Sequence, residues 1–327
     1  MKLLLIGYSK IAQKRVLPAL PKAGVTQVDV ASHSRVGDVV LPQGAAGQIF
    51  YDYETALDES DADLVYVSTV NSAHAEWVER ALERGYHVVV DKPACTSLVE
   101  TRRLLDLARR KDRCLAEATV YGYHPQIDAA RQAFVEAGSR PTRIVATFSF
   151  PPLPAENFRY KATSDGGALW DLGPYAVTPG RLFFGEDPKE VACHVTGRGD
   201  EVETSFSVLM TYAGGCSMVG HFGFNTGYRN RLDILGPDVT VTIDRVFTTP
   251  ADMASELHIN QRNQARVVEV PPADNFALFL RVVIGGIEAG QHGSLADDLL
   301  ADARVLWRLR KAGAMNTGSM NNDLMTN

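Results

Sequence analysis

Over its first 120 residues the chain alternates apolar runs with amphipathic stretches, and few folds accept that pattern. The runs Lys2–Ile6, Val28–Ser32, Asp63–Ser68, His87–Val90 and Cys114–Thr119 read as strands. Between them lie helical patterns at Ile11–Lys22, Tyr53–Asp58, Ala73–Glu83 (stopped by Gly85) and Leu98–Lys111. This spacing calls for parallel βαβ units. Right-handed crossovers then set the carboxyl ends of all these strands along one edge. Open α/β sheets bind ligands at that edge, so the residues that follow each run carry the information about function.

The first run ends in Gly7-Tyr8-Ser9-Lys10-Ile11-Ala12, a degraded G-x-G-x-x-G/A turn between strand and helix. Gly7 serves the tight turn and Ala12 close packing. Ser9 stands where a glycine usually lets a pyrophosphate reach the backbone, and the free N–H groups of the helix start would hold it. NAD sites usually place an acid at the end of the second strand. Here that end reads Ser32-His33-Ser34-Arg35, and Asp29 comes too early. Ser32, Ser34 and Arg35 suit a 2′-phosphate, so NADP is expected ahead of NAD. The valine-rich run Val88–Val90 delivers Asp91 and Lys92 to the sheet mouth, with Pro93 restricting the backbone there. Glu117 ends the last strand of this half and is a candidate contact for the nicotinamide ribose or carboxamide.

After residue 120 the period changes. Thr142–Phe150, Glu190–Val195, Glu203–Tyr212, Cys216–Phe224, Asn230–Leu235 and Val239–Ile243 read as strands with few helices between them. An antiparallel sheet with one helix-covered face is expected. Phe276–Ala289 and Ser294–Ala312 are amphipathic helices, and the tail from Met315 is polar. The division is thus a dinucleotide-binding domain over 1–120 and a substrate-binding and oligomerisation domain over 121–327. A chain of 327 residues can bury this much core without disulfides. A formal charge of −6 gives no reason to expect nucleic acid or an anionic membrane. The apolar start stops at Gly7 and reads as a strand rather than a leader. Cys95, Cys114, Cys193 and Cys216 lack metal-type spacing and read as reduced thiols in a cytoplasmic protein. No His, Asp and Glu grouping has metal-ligand spacing, so no metal is expected. His74, His124 and His221 are more readily core or surface residues than catalysts.

Asp91-Lys92-Pro93, Val70-Asn71-Ser72-Ala73-His74 and Gly166-Gly167-Ala168-Leu169-Trp170-Asp171-Leu172-Gly173-Pro174-Tyr175 together resemble the Gfo/Idh/MocA oxidoreductase family in order and spacing. The resemblance covers nearly the whole chain. It implies an N-terminal Rossmann parallel sheet and a C-terminal α+β domain with a mainly antiparallel sheet, used for dimers or tetramers. It implies cofactor contacts at Gly7, Tyr8, Ser9, Ile11, Ala12, Ser68, Asn71, His74, Asp91 and Lys92. Substrate contacts are implied at Lys92, Tyr123, Arg159, Trp170, Asp171, Tyr175, Tyr228 and Arg229. Asp91 replaces a glutamate, Ser9 a glycine and Tyr175 the histidine of the simpler sugar dehydrogenases. His124-Pro125-Gln126, Phe158-Arg159-Tyr160, Arg245-Val246-Phe247-Thr248-Thr249-Pro250 and Pro272-Ala273-Asp274-Asn275-Phe276 are similar to the nucleotide-sugar 3-ketoreductases.

Hydride transfer to a carbonyl asks the protein for a proton donor. Lys92 and Tyr175 compete for that role, with Asp171 orienting either. A phenol near pKa ~10 is brought lower by an adjacent ammonium. If helical, Asp171 and Tyr175 share a face, although Pro174 suits only a helix's first turn. The expectation is proton donation by Tyr175 with Lys92 polarising the carbonyl. Oxidation of a sugar or cyclitol hydroxyl uses the same residues. A non-catalytic NADP sensor is the reading of another class.

Overall fold

The computed structural model describes residues 1–33, 37 and 39–315. It divides into two compact units, Met1–Val120 with Phe276–Ala303, and Tyr121–Asn275 with the chain from Arg304 onward. The chain passes between units at residues 120 and 121, and it returns to the first unit for 276–303.

In the first unit, β1 (Lys2–Ile6), β2 (Gln27–Ala31), β3 (Ile49–Phe50), β4 (Leu64–Val67), β5 (His87–Val90) and β6 (Leu115–Glu117) form one parallel sheet in the order β3-β2-β1-β4-β5-β6. This is the doubly wound arrangement expected from the alternation. Leu3, Leu4, Leu5 and Ile6 are fully buried, as a central strand covered on both faces requires. A π-helical segment, Ala12–Val16, runs into α1 (Leu17–Ala19). Then come α2 (Tyr53–Glu59), capped by Asp52, α3 (Asn71–Glu83), and α4 (Leu98–Lys111), capped by Ser97. Strand order reverses between β1 and β4, which puts the residues after these strands at the switch point. Asp29 serves the fold rather than a ligand. Its buried carboxylate accepts from Gln48 N–H (2.8 Å), Ser60 Oγ (2.7 Å) and Lys2 Nζ (2.8 Å).

The second unit holds an eight-stranded sheet of β7 (Arg143–Ser149), β8 (Glu190–Arg198), β9 (Glu203–Thr211), β10 (Ser217–Gly223), β11 (Arg229–Leu235), β12 (Val239–Asp244), β13 (Ser255–Gln261) and β14 (Gln264–Val270). The order is β14-β13-β12-β11-β7-β10-β9-β8, antiparallel except where β7 meets β10. Helices α5 (Pro125–Glu136), α6 (Ala168–Asp171) and α7 (Gly173–Phe184) cover one face. Helices α8 (Asn275–Glu288) and α9 (Gly293–Met315) close the described chain, and Leu306 and Leu309 of α9 join the core of this unit. The periodicity did not mark β13 and β14. They are joined at Arg262 and Asn263, both left-handed (φ 50° and 66°), without the glycine that usually signals such a turn. β14 is also exposed along most of its length and shows no alternation.

Among the described residues no helix is long and apolar enough to cross a membrane, and no grouping of three His, Cys, Asp or Glu could hold a metal. All four cysteines are buried, and none is in a disulfide. Burial pushes the Cys95, Cys114 and Cys193 thiols up to about 12.

His124 caps α5: its Nδ1 accepts the Gln126 N–H at 3.1 Å, which puts the proton of the neutral ring on Nε2. Burial pulls this histidine down from 6.5 to about 4. A histidine kept neutral by the fold contributes fully above pH 6.5, and the contribution is lost as pH falls towards 4, because the unfolded chain binds the proton first. His87, lowered to about 4 by burial and then by Arg113, acts in the same direction. His124→Asn keeps a capping oxygen. It is expected to reduce the slope of stability against pH in that window, by at most about 1.4 kcal/mol per pH unit. Urea melts at four pH values would show this, and an unaltered slope would refute it.

Candidate active site

Gly7 follows β1 at φ +95°, and a Cβ there would lie 2.3 Å from the Ser68 carbonyl oxygen after β4. The two carboxyl ends at the switch point therefore touch through backbone alone. Ser9 turns its hydroxyl inward: it accepts the Ala12 N–H at 3.0 Å and lies 2.8 Å from Ser68 Oγ. Ser68 donates onward to Asp91 at 2.5 Å, so Ser9 is the donor to Ser68. Tyr66 donates to the other Asp91 oxygen at 2.7 Å. Burial, then the Asp91 charge, pushes the Tyr66 phenol well up and keeps it a donor. Ser9 and Asp91, two departures from the family motifs, are thus the ends of one hydrogen-bonded chain. The first N–H groups of the helix, around Ser9 to Ile11, are those that helix geometry leaves without an intrahelical acceptor, and they fit a diphosphate.

Ile11 is exposed, and the Tyr8 hydroxyl accepts the Val40 N–H at 3.0 Å. Ser32 is buried, its N–H on the Phe50 carbonyl at 3.0 Å. Ser34 and Arg35, on which the expectation of a 2′-phosphate turned, lie outside the described residues. His33, passed over in the sequence, packs tilted against Tyr53 with ring centres 3.9 Å apart, and Tyr53 meets Trp77 edge-on at 4.9 Å.

Lys92 follows β5, and its bond to Pro93 is cis. The turn after it is held from two sides. His74, near the start of α3 with Asn71, sets Nδ1 2.8 Å from the Pro93 carbonyl and Nε2 3.3 Å from that of Thr69. Glu117 accepts the Ala94 N–H at 2.8 Å and the Thr119 hydroxyl at 2.5 Å. Both residues were expected to contact cofactor, and in the structure both support the lysine turn.

In the second unit the Gly166–Tyr175 motif is two helical pieces, α6 and α7, broken at Leu172. Pro174 sits in the first turn of α7, where a missing N–H costs nothing. Asp171 and Tyr175 therefore do not share the face of one continuous helix. Arg159 holds the first of them. Its Nε donates to Asp171 Oδ2 at 2.7 Å, and its carbonyl accepts the Gly167 N–H at 2.8 Å. The Asp171 charge holds this guanidinium above its ordinary value against the cost of burial, and Tyr175 adds in the same direction. The half-buried Tyr175 ring sits among Phe148 (5.1 Å), Phe247 (5.4 Å) and Tyr121 (5.9 Å). Tyr123 lies in the short 3-10 turn that leads to α5.

Trp170, expected to line the substrate, is buried with Arg310 of α9 lying 3.6 Å over its ring. Glu203, 3.8 Å from Arg310, accepts the Leu169 N–H at 3.0 Å and occupies the space a Cβ on Gly167 would need. Arg310 and Glu203 brace the motif from behind. No sequence signal marked them, since they come from a distant helix and strand. Arg229 pairs with Asp244 at 3.8 Å, while Tyr228 is half exposed under Arg245 at 5.5 Å. His221 lies 3.1 Å from Ser207 on the sheet.

The chain is similar to known proteins. Residues 1–119 match the oxidoreductase family with an NAD-binding Rossmann fold, and residues 134–242 match the GFO/IDH/MocA C-terminal domain. The chain is 31% identical over 309 residues to a dTDP-3,4-didehydro-2,6-dideoxy-alpha-D-glucose 3-reductase of Actinomadura kijaniata, covering 93% of each. A D-xylose 1-dehydrogenase (NADP(+)) of Haloferax volcanii is 27% identical, over 88% of this chain and 89% of the other. Among solved structures, a 3-ketoreductase from Actinomadura kijaniata in complex with NADP and TDP-benzene superposes with a TM-score of 0.90 at 29% identity, over 96% of this chain and 98% of that one.

Proposed function

The chain belongs to the Gfo/Idh/MocA oxidoreductase family, and from that premise we propose that it is an NADP-dependent 3-ketoreductase of a nucleotide-linked sugar. The observation that carries this reading is Tyr175. The family motif ends here on a phenol, half-buried in an aromatic nest beside the Arg159–Asp171 ion pair.

When bound, the nicotinamide supplies the hydride. The carbonyl oxygen of the sugar gains an electron pair as its carbon is reduced, and it must take a proton. Tyr175 donates that proton from its hydroxyl, and the Lys92 ammonium stabilises the developing negative charge. Arg159 holds Asp171 through its hydrogen bond, which orients the motif that carries Tyr175. Ser9, Ser68 and Asp91 link the nucleotide turn to the lysine turn, so both are set by one network.

A thermal-shift and turnover screen tests the proposal. NADPH at a hundredfold excess over its Kd is expected to stabilise the chain by about 2.7 kcal/mol, and NADH at the same concentration by clearly less. NADPH absorbance is expected to fall when a dTDP-linked 3-keto sugar is added. Equal shifts with both cofactors would remove the NADP preference. Reduction of NADP by xylose or a cyclitol, with no turnover of keto-sugars, would transfer the assignment to the oxidative reading that the xylose dehydrogenase likeness favours.

Four buried thiols outside any disulfide support a cytoplasmic setting. The sheet face away from α5 and α7 supports a homodimer or homotetramer: Val145, Val219 and Leu209, 39%, 41% and 47% exposed, stand side by side across β7, β10 and β9. A single-chain mass in light scattering would count against that assembly.

A further inference from the structure

We infer that Arg245 and Tyr228 form the subsite for the diphosphate of the substrate, an inference that rests on the nucleotide-linked reading above. Arg245 follows β12 in the left-handed region, at φ 57°, which a residue with a side chain adopts only when its surroundings enforce it. They do so here. Its N–H donates to the Asn230 carbonyl at 2.6 Å, and its carbonyl accepts the Thr249 hydroxyl at 2.8 Å. The Asn230 side chain accepts from Phe247 N–H at 3.0 Å and donates to Thr248 Oγ1 at 2.9 Å. The buried Gln126 donates to the Val246 carbonyl and to Thr249 Oγ1, each at 3.1 Å.

The turn is therefore rigid, and it is fixed relative to Tyr175, whose ring packs on Phe247 at 5.4 Å. Two residues before Phe247, the Arg245 guanidinium lies 5.5 Å over the exposed Tyr228 ring. Neighbouring Asp244 is engaged by Arg229 at 3.8 Å, and among the described residues no carboxylate pairs with Arg245. A guanidinium braced on an aromatic face keeps its N–H edge for an acceptor with two oxygens in one plane, as phosphate has. A merely solvated arginine would need neither the enforced backbone nor the ring beneath it.

Calorimetric titration of the NADP-loaded full chain with thymidine diphosphate tests the assignment. Arg245→Gln is expected to weaken thymidine diphosphate binding roughly 10- to 100-fold and to raise KM for the dTDP-keto sugar by a like factor. Its kcat should stay within about threefold and its NADPH affinity within about twofold, since neither depends on that guanidinium. Arg245→Lys should recover part of the loss as a point charge. Arg245→Gly removes the guanidinium while relaxing the backbone, and it decides the matter if the glutamine variant does not fold. Binding within twofold of the parent protein in the variants would overturn the subsite. A parent protein that reduces free keto-sugars yet ignores thymidine diphosphate would overturn the nucleotide-linked reading as well, so the two failures are told apart.

Discussion

Replacing Tyr175 by phenylalanine is expected to lower kcat about 100- to 10,000-fold while NADPH affinity stays within about twofold. The change removes one oxygen and leaves the ring among Phe148, Phe247 and Tyr121, where an apolar edge packs as well as a phenol. A large loss of stability is therefore not expected, and a kcat change reports on the proton. Lys92→Met is expected to lower kcat by a similar order through loss of the positive charge beside the forming alkoxide. The double variant discriminates between roles. If the two groups act on one oxygen, the combined loss falls well short of the product of the single losses. Phenylalanine at 175 with most of the parent kcat would make Lys92 the donor and Tyr175 a packing residue.

Gly7→Ala is expected to destabilise the protein by about 3–5 kcal/mol, a large effect for a single methyl group. The added Cβ would stand 2.3 Å from the Ser68 carbonyl oxygen, at φ +95°. Neither atom can yield cheaply, because the Ser68 N–H is bonded to Ile6 and its hydroxyl to Asp91. Gly24→Ala isolates the steric part. Gly24 also has positive φ (+84°), but a Cβ there would meet nothing within 4 Å, so only the conformational cost of about 1 kcal/mol applies. Denaturant melts of the pair would measure the difference, and equal losses would show that backbone strain, not contact with Ser68, makes glycine necessary after β1.

Much of the first unit was legible because its signals are local. A buried parallel strand has to be apolar along its whole length, so Lys2–Ile6 and His87–Val90 are found where the runs placed them. Helix α4 also matches, since its serine cap, its terminal basic residues and its apolar stripe all lie within one segment. The second unit was harder. Its sheet is held by pairings between distant strands, and the β13–β14 turn uses left-handed Arg262 and Asn263 in place of glycine. α7 was hidden by two prolines, Pro174 in its first turn and Pro179 within it.

The strand–helix alternation of the first unit, the lysine after β5, the tyrosine at the end of the glycine motif and the family itself were thus determined by sequence, because each is a statement about neighbours along the chain. Only the tertiary structure decided that Asp171 is held by Arg159, that Arg310 and Glu203 brace Trp170 and Gly167, and that His74 and Glu117 serve the lysine turn. A side chain's partner is set by where the backbone carries both groups in space and by the need of each buried polar atom for a bond, and no local pattern encodes either.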